Sequence, residues 1–259
     1  MDLNLRDKVA IVTGVSGKNG GSGVGAAICE EFAKEGINVV ANYIVDEKDT
    51  IEFIENINRK YGTKGIAVYG DISSTSDIDN ILEQTVKTFK RIDILVNNAG
   101  ILPVTDILDM PDEEWERVIK INLNGTYFFS KRFAQKLVSM KRPGRILNIS
   151  SKSGISVSSP SRSHYATSKG AIITLTKAMA RELTKYGIIV NAIVPGILRT
   201  PLNEELFKDP DVEKNYVKRI VMGRLTEPRE IAQVVTFFVS EKTESTPGSI
   251  IDVTGGMLL

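Results

Sequence analysis

Short β-branched apolar runs alternate with longer amphipathic stretches along the whole chain, and that rhythm leaves few folds open. Runs that stay apolar at successive positions belong to strands covered on both faces, and the helical stretches between them supply βαβ crossovers. The runs are Val9–Val12, Asn38–Ala41, Ile66–Tyr69, Ile92–Val96, Arg145–Ile149, Ile188–Val194 and Ser249–Val253. Between them the periodicity predicts helices over 24–35, 47–61, 75–90, 111–140, 163–186 and 228–240. Gly36, Gly62 and Gly187 stand where helix C-caps belong. Pro111, with Asp112, Glu113 and Glu114 behind it, suits the positive end of a helix dipole. The expectation is a single α/β domain over 1–259, a doubly wound parallel sheet of about seven strands. The segment 195–227, rich in proline, is too long for an ordinary connection and is expected to form a substrate loop.

Composition narrows the function classes. The chain is 42% hydrophobic, and 33 basic against 32 acidic residues leave a net charge of +1, too small a field to hold a polyanion. Nucleic-acid binding is therefore not expected, and no run approaches the ~20 apolar residues of a membrane-spanning helix. A single cysteine, Cys29, excludes an intramolecular disulfide framework and a thiolate-built zinc site. The single histidine, His164, excludes a multi-histidine metal centre. Chemistry without a metal, in a reducing cytoplasmic setting, is the expectation. Met1–Asp7 is short and charged and carries no sign of a secretion signal.

The only glycine-dense stretch follows the first strand. Thr13-Gly14 leads through Gly17, Gly20, Gly21, Gly23 and Gly25 into Ala26-Ala27-Ile28, a strand, turn, helix order. In that order glycines let backbone approach a dinucleotide pyrophosphate, and the helix N-terminus points amide donors at it. A P-loop reading fails, because Asn19 stands where a Ser or Thr should meet magnesium. Farther on, Tyr165 and Lys169 are four apart on a predicted helix and share one face. Moving a phenol from its usual pKa near 10 to about 7 takes ~4 kcal/mol of differential stabilisation, and a neighbouring ammonium supplies much of it.

These motifs together resemble the short-chain dehydrogenase/reductase family, and the resemblance covers essentially the whole chain. Thr13-Gly14 with Gly23-Val24-Gly25 corresponds to the family's TGxxxGxG, with eight residues between Gly14 and Gly23 instead of three. The insertion lies within Val15–Ser22, and Gly14, Gly23 and Gly25 are the glycines assigned to phosphate. The resemblance implies a Rossmann fold, a nicotinamide dinucleotide, and cofactor contacts from Asp71, from Asn98, Ala99 and Gly100 of Asn97-Asn98-Ala99-Gly100 (the family's NNAG), and from Pro195-Gly196 with Thr200 (its PGxxxT). At the end of the second strand, Asn42 and Tyr43 stand where NAD readers carry an acid. That absence favours NADP(H), with NAD as the alternative, and Lys18 is the nearby candidate for a 2′-phosphate.

The resemblance also assigns a catalytic tetrad of Asn122, Ser151, Tyr165 and Lys169. Tyr165 is the general acid/base, Ser151 bonds the substrate oxygen, and Asn122 interrupts regular helix bonding behind the lysine. Ser150 and Ser153 are the neighbouring alternatives to Ser151, and Asn124 the rival of Asn122. Arg162 and His164 are candidates for the substrate entrance. The implied reaction is hydride exchange with a secondary alcohol or ketone. The 199–231 stretch resembles bacterial glucose dehydrogenases, which favours a sugar or polyol. It also resembles 3-oxoacyl-(acyl carrier protein) reductases, for which Lys131, Arg132, Lys136, Lys141 and Arg142 offer a docking face. A nonenzymatic dinucleotide-sensing regulator is the third reading. Relatives associate through the helices at 111–140 and 163–186, so a homotetramer is expected. The apolar end of Thr254–Leu259 is expected to pack near a partner or the substrate loop.

Overall fold

In a computed structural model that describes residues 2–157, 159–200 and 207–259, β1 (Val9–Val12) lies in the middle of a fully parallel sheet. Its neighbours are β2 (Asn38–Tyr43) and β4 (Ile94–Asn97), and the order continues outward through β3 (Ile66–Tyr69) on one side and β5 (Gly144–Ile149), β6 (Ile188–Pro195) and β7 (Ile250–Val253) on the other. The order β3-β2-β1-β4-β5-β6-β7 reverses direction between β1 and β4, where doubly wound sheets open a crevice at the strands' carboxyl ends.

Successive residues of β1 feed opposite cores. Ala10 and Val12 pack with Phe32 of α2 (Val24–Lys34), Ile54 of α3 (Glu47–Tyr61) and Ile231 of α9 (Pro228–Phe238). Val9 and Ile11 belong to the other face, with Ile81 of α4 (Thr75–Phe89), Phe129 and Phe133 of α6 (Thr126–Ser139), and Met179 of α7 (Ser163–Leu183). Both faces are covered, which is why the strands read as unbroken apolar runs. Each fully buried Phe or Ile contributes roughly 1.5–3 kcal/mol of burial free energy, so these two layers dominate the fold's stability.

Gly36, Gly62 and Gly187 all take left-handed φ, as C-caps require. The stretch expected as one helix over 111–140 is instead three pieces. α5 (Asp112–Val118) passes into a π-helical segment, Ile119–Gly125, before α6 begins. Asn122 sits in that widened turn, fully buried, with its side chain committed outside the helix. Within 195–227, α8 (Pro210–Val217) is the helical element among the described residues, and a bridge between Leu198 and Thr226 closes the loop's base. Pro201–Leu206 of the expected substrate loop lie outside the described residues. The C-terminal tail packs on that loop: Met222 N–H donates to Gly255 O at 3.0 Å.

Candidate functional site

The crevice between β1 and β4 is lined at one end by the glycine loop. Thr13 organises it, its hydroxyl oxygen accepting both Asn98 N–H and Ala99 N–H at 3.0 Å. Asn98 Nδ2 returns the contact to the carbonyls of Thr13 (2.9 Å) and Gly14 (3.1 Å), locking the loops after β1 and β4 together. Gly14 has φ +68, and a Cβ there would stand 2.6 Å from Ala99 Cα, so only glycine fits. Gly23 differs: a Cβ would meet nothing within 4 Å, because this residue faces the open cleft at the N-cap of α2. That helix start carries no side-chain cap and no acid in its first turn, so its orphan amides point unopposed into the cleft. The donor set suits a dinucleotide pyrophosphate.

The insertion is built into the fold. Lys18–Gly21 forms a short helical turn, α1, with Asn19 and Gly20 in left-handed conformation. Gly17 N–H donates to Thr50 Oγ1 of α3 at 3.1 Å, and Ser16 Oγ donates to Asp46 Oδ2 at 2.6 Å. Ser16 lines the cleft, so Asp46 places a carboxylate beside it, three positions past the end of β2. Lys18 is exposed and does not line the cleft.

At the other end, β5 delivers Ser151 and α7 delivers Tyr165 and Lys169 to the same cleft. Lys169 Nζ donates to Ile149 O at 2.8 Å and lies 5.7 Å from the Tyr165 ring centroid. Burial pushes Lys169 down to about 8. Burial also raises the Tyr165 phenol, opposed by its hydrogen bonding with Ser151 and by the Arg162 charge. The phenol therefore holds its proton at neutral pH. Ser151 Oγ accepts Ser153 N–H at 3.1 Å, whereas Ser150, one position earlier on the strand edge, donates to Lys169 O at 2.7 Å. Ser150 is thus spent on holding α7.

Asn122 lies behind the cleft. Its carboxamide grips Ile101 by both backbone groups, accepting N–H at 2.9 Å and donating to C=O at 3.0 Å, and donates to Ser168 Oγ at 3.2 Å. It thereby fixes the wall that follows Asn98-Ala99-Gly100. Asn124 is exposed.

Gly14, Gly23, Gly25, Asn98, Ala99, Gly100, Pro195, Gly196 and Thr200 all line the cleft with Ser151, Tyr165 and Lys169. Asn42, Tyr43 and Asp71 do not. Asn42 Nδ2 donates to Val68 O and Gly70 O, Tyr43 Oη donates to Glu47, and Asp71 Oδ1 accepts Ser73 N–H in a turn. These contacts brace β2 against β3 and the turn before α4.

The two entrance candidates, His164 and Arg162, are placed differently. His164 is fully buried, its Nδ1 accepting Tyr165 N–H at 2.8 Å, so Nε2 carries the proton and donates to Glu114 Oε1 at 3.2 Å. It ties α5 to α7, while Arg162 lines the cleft. The sequence reading missed Lys152, Ser16 and a buried polar chain in which Asn97 Nδ2 donates to Ser130 Oγ and Asn148 Oδ1, and Asn148 Nδ2 to Thr176 Oγ1. Polar residues inside the apolar runs of β4 and β5 were the available signal for that chain.

Among the described residues no helix is long and apolar enough to cross a membrane. A family model described as enoyl-(acyl carrier protein) reductase matches residues 17–258. A 3β-hydroxysteroid dehydrogenase of Eggerthella lenta is 36% identical over 256 residues, covering 99% of this chain and 95% of the relative. A 3-oxoacyl-(acyl-carrier-protein) reductase of Aquifex aeolicus is 35% identical over 257 residues, covering 99% of this chain and 100% of the relative. Among solved structures, one from Agrobacterium tumefaciens, provisionally assigned as a gluconate dehydrogenase, superposes with TM-score 0.91 at 30% identity, covering 100% of this chain and 98% of that one.

Proposed function

Since the chain belongs to the short-chain dehydrogenase/reductase family and so is an oxidoreductase acting on CH–OH groups, we propose that it exchanges a hydride between NADP(H) and a secondary alcohol or ketone of a small polar molecule, a sugar or polyol. The observation that carries this reading is the convergence of Ser151, Tyr165 and Lys169 on the cleft whose far end is the glycine loop. A bound nicotinamide dinucleotide supplies the hydride donor or acceptor. Gly14, Gly23, Gly25 and the first amides of α2 would hold its phosphates, with Asn98–Gly100, Pro195, Gly196 and Thr200 along its length.

Tyr165 moves the proton. In reduction its neutral phenol gives the proton to the carbonyl oxygen as the carbon gains hydride, and in oxidation the phenolate takes it back. Ser151 donates a hydrogen bond to the same oxygen, stabilising charge as it develops. The Lys169 ammonium favours the phenolate from its place near the ring, while the carbonyl of Ile149 fixes its aim. Asn122 is a positioning residue, acting through Ile101.

The polar substrate side, with Ser151, Lys152, Ser153 and Arg162, supports a small hydroxylated substrate, and the gluconate dehydrogenase assignment of the Agrobacterium relative is consistent with it. The second reading, a 3-oxoacyl reductase, draws on the Aquifex relative. Its docking face is weakened because Arg132 pairs with Asp79 and Arg142 with Asp93. The acid-free end of β2 favours NADP(H), against which Asp46 counts for NAD. Exposed Tyr127 and Val138 on α6 support assembly through that helix into the expected homotetramer, which light scattering tests. The deciding assay is nicotinamide absorbance with both cofactors, glucose oxidation beside acetoacetyl thioester reduction. Tyr165→Phe should lower turnover by about 10²–10⁴. Equal turnover in the variant refutes Tyr165 as the proton mover, whereas cofactor binding with no turnover of any substrate leaves the sensor reading.

A further inference from the structure

His164 is the chain's only histidine, it is fully buried, and the proton transfer described above does not use it. It sits where α7 lacks a cap. The N-cap residue of α7 is Arg162, whose side chain makes no cap hydrogen bond, and an arginine has no acceptor to offer. Tyr165 is the third residue of that helix, so its N–H is one of the donors a first turn leaves without an intrahelical partner. His164 Nδ1 accepts that N–H at 2.8 Å and stands in for the missing cap. An acceptor at Nδ1 requires the ring proton on Nε2, and Glu114 Oε1, 3.2 Å away on α5, accepts its hydrogen bond.

The carbonyl of Tyr165 is held in the same way. Ser168 Oγ donates to Tyr165 O at 2.7 Å, and Asn122 Nδ2 donates to Ser168 Oγ at 3.2 Å. Glu114 and Asn122 lie on one continuous helical run, α5 and the π-helical segment that follows it. Both backbone groups of Tyr165 are therefore tied, each through one side chain, to the same neighbouring run. We propose that His164, aimed by Glu114, is a positioning residue for Tyr165. It keeps the first turn of α7 closed and, with Ser168 and Asn122 on the carbonyl side, sets the phenol against Ser151 and the substrate oxygen. A first turn without a cap frays, and a general acid displaced by about 1 Å can lose roughly a hundredfold in rate. The inference rests on the hydride-transfer reading. Neither His164 nor Glu114 lines the cleft, so their effect falls on the proton-transfer step and leaves the glycine loop at the far end untouched.

Two readouts on the full chain need no substrate. Because His164 is the only histidine, nitrogen-15 labelling of histidine gives one pair of ring signals in magnetic resonance, and Nδ1 should be bare with Nε2 protonated. With labelled tyrosine, the Tyr165 amide, assigned by its loss in Tyr165→Phe, should exchange slowly with solvent, and His164→Leu should speed that exchange by about tenfold or more. His164→Asn, whose Oδ1 stands near the place of Nδ1, should restore the protection. Turnover is then read by nicotinamide absorbance with whichever of glucose and acetoacetyl thioester the parent uses. His164→Leu should lower kcat by about tenfold or more with the cofactor KM within about twofold, and His164→Asn should recover most of kcat. Glu114→Ala should act in the same direction, without adding to His164→Leu in the double variant. A proton on Nδ1, an unchanged Tyr165 amide in His164→Leu, no recovery in His164→Asn, or kcat and cofactor KM worsening together overturns the inference. Should His164→Leu not fold, Glu114→Ala against the parent carries the same comparison. Turnover unchanged by Tyr165→Phe defeats the hydride-transfer reading instead, and leaves the ring signals and the amide exchange standing.

Discussion

Replacing Asn122 with alanine removes three hydrogen bonds from a fully buried side chain, two to the backbone of Ile101 and one to Ser168. Each such bond is worth about 1 kcal/mol net. Ser168 keeps its bond to Tyr165 O, so the unsatisfied groups are the N–H and C=O of Ile101. Asn122→Ala should therefore lose about 3 kcal/mol, and roughly 2–4 °C per kcal/mol for a chain of this size gives a Tm lower by about 6–12 °C. The control is Asn124→Ala, in the same π-helical segment but exposed, which should stay within about 0.5 kcal/mol of the parent. Urea unfolding followed by circular dichroism, at matched protein concentration, reads both. A loss below about 1 kcal/mol in Asn122→Ala, or an equal loss in Asn124→Ala, would refute the assignment of Asn122 as the clamp on Ile101.

Lys169 is held near about 8 by burial, below the ordinary 10.5, so between those pH values the unfolded chain binds more protons than the folded one. The parent's stability should rise with pH across that window. Lys169→Met should be more stable than the parent by about 2 kcal/mol at pH 7, once the lost bond to Ile149 is allowed for, and the gain should vanish by about pH 10 in urea melts. Gly23→Ala has room for its methyl and φ −91, so its Tm should not move, while titration should show cofactor affinity at least tenfold weaker. Gly14→Ala, clashing with Ala99 at positive φ, should instead lose about 2–5 kcal/mol. Asp46→Asn removes a charge beside Ser16. At about 8 Å in water that charge costs about 0.5 kcal/mol per phosphate charge, so NADP(H) affinity should rise about two- to fivefold with NAD(H) unimproved. Parallel Kd measurements decide it.

The seven parallel strands and the shared helix face of Tyr165 and Lys169 could be read in advance, because burial on both faces writes itself as apolar runs and because a four-residue helical spacing is geometry; the order of the strands could not. The break in 111–140 was half legible: an asparagine at 122 is a poor helix former, but that its amide would reach Ile101 needs the third dimension. Asn42 illustrates the opposite case. Its position at the strand end suggested a cofactor contact, and the structure spends its amide on the carbonyls of Val68 in β3 and Gly70 just past it, since a buried amide must find partners wherever they lie. Asp46 and Lys152 escaped notice because neither stands in a motif position. Asp46 comes beside the cleft only through its bond to Ser16, and Lys152 lines it from the turn after β5.

The clamp between Gly17 and Thr50 makes the inserted glycine segment and the start of α3 one mechanical part. A Cβ on Gly17 would fall 2.0 Å from Asp49 O, so the two segments touch backbone to backbone. An engineer who rewrites residues 42–46 to exchange one dinucleotide for the other will therefore drag on Ser16, and through it on the loop proposed to cradle the phosphates. The strand end and the loop shape are coupled through these contacts, and a redesign of residues 42–46 will have to include α3's first turn.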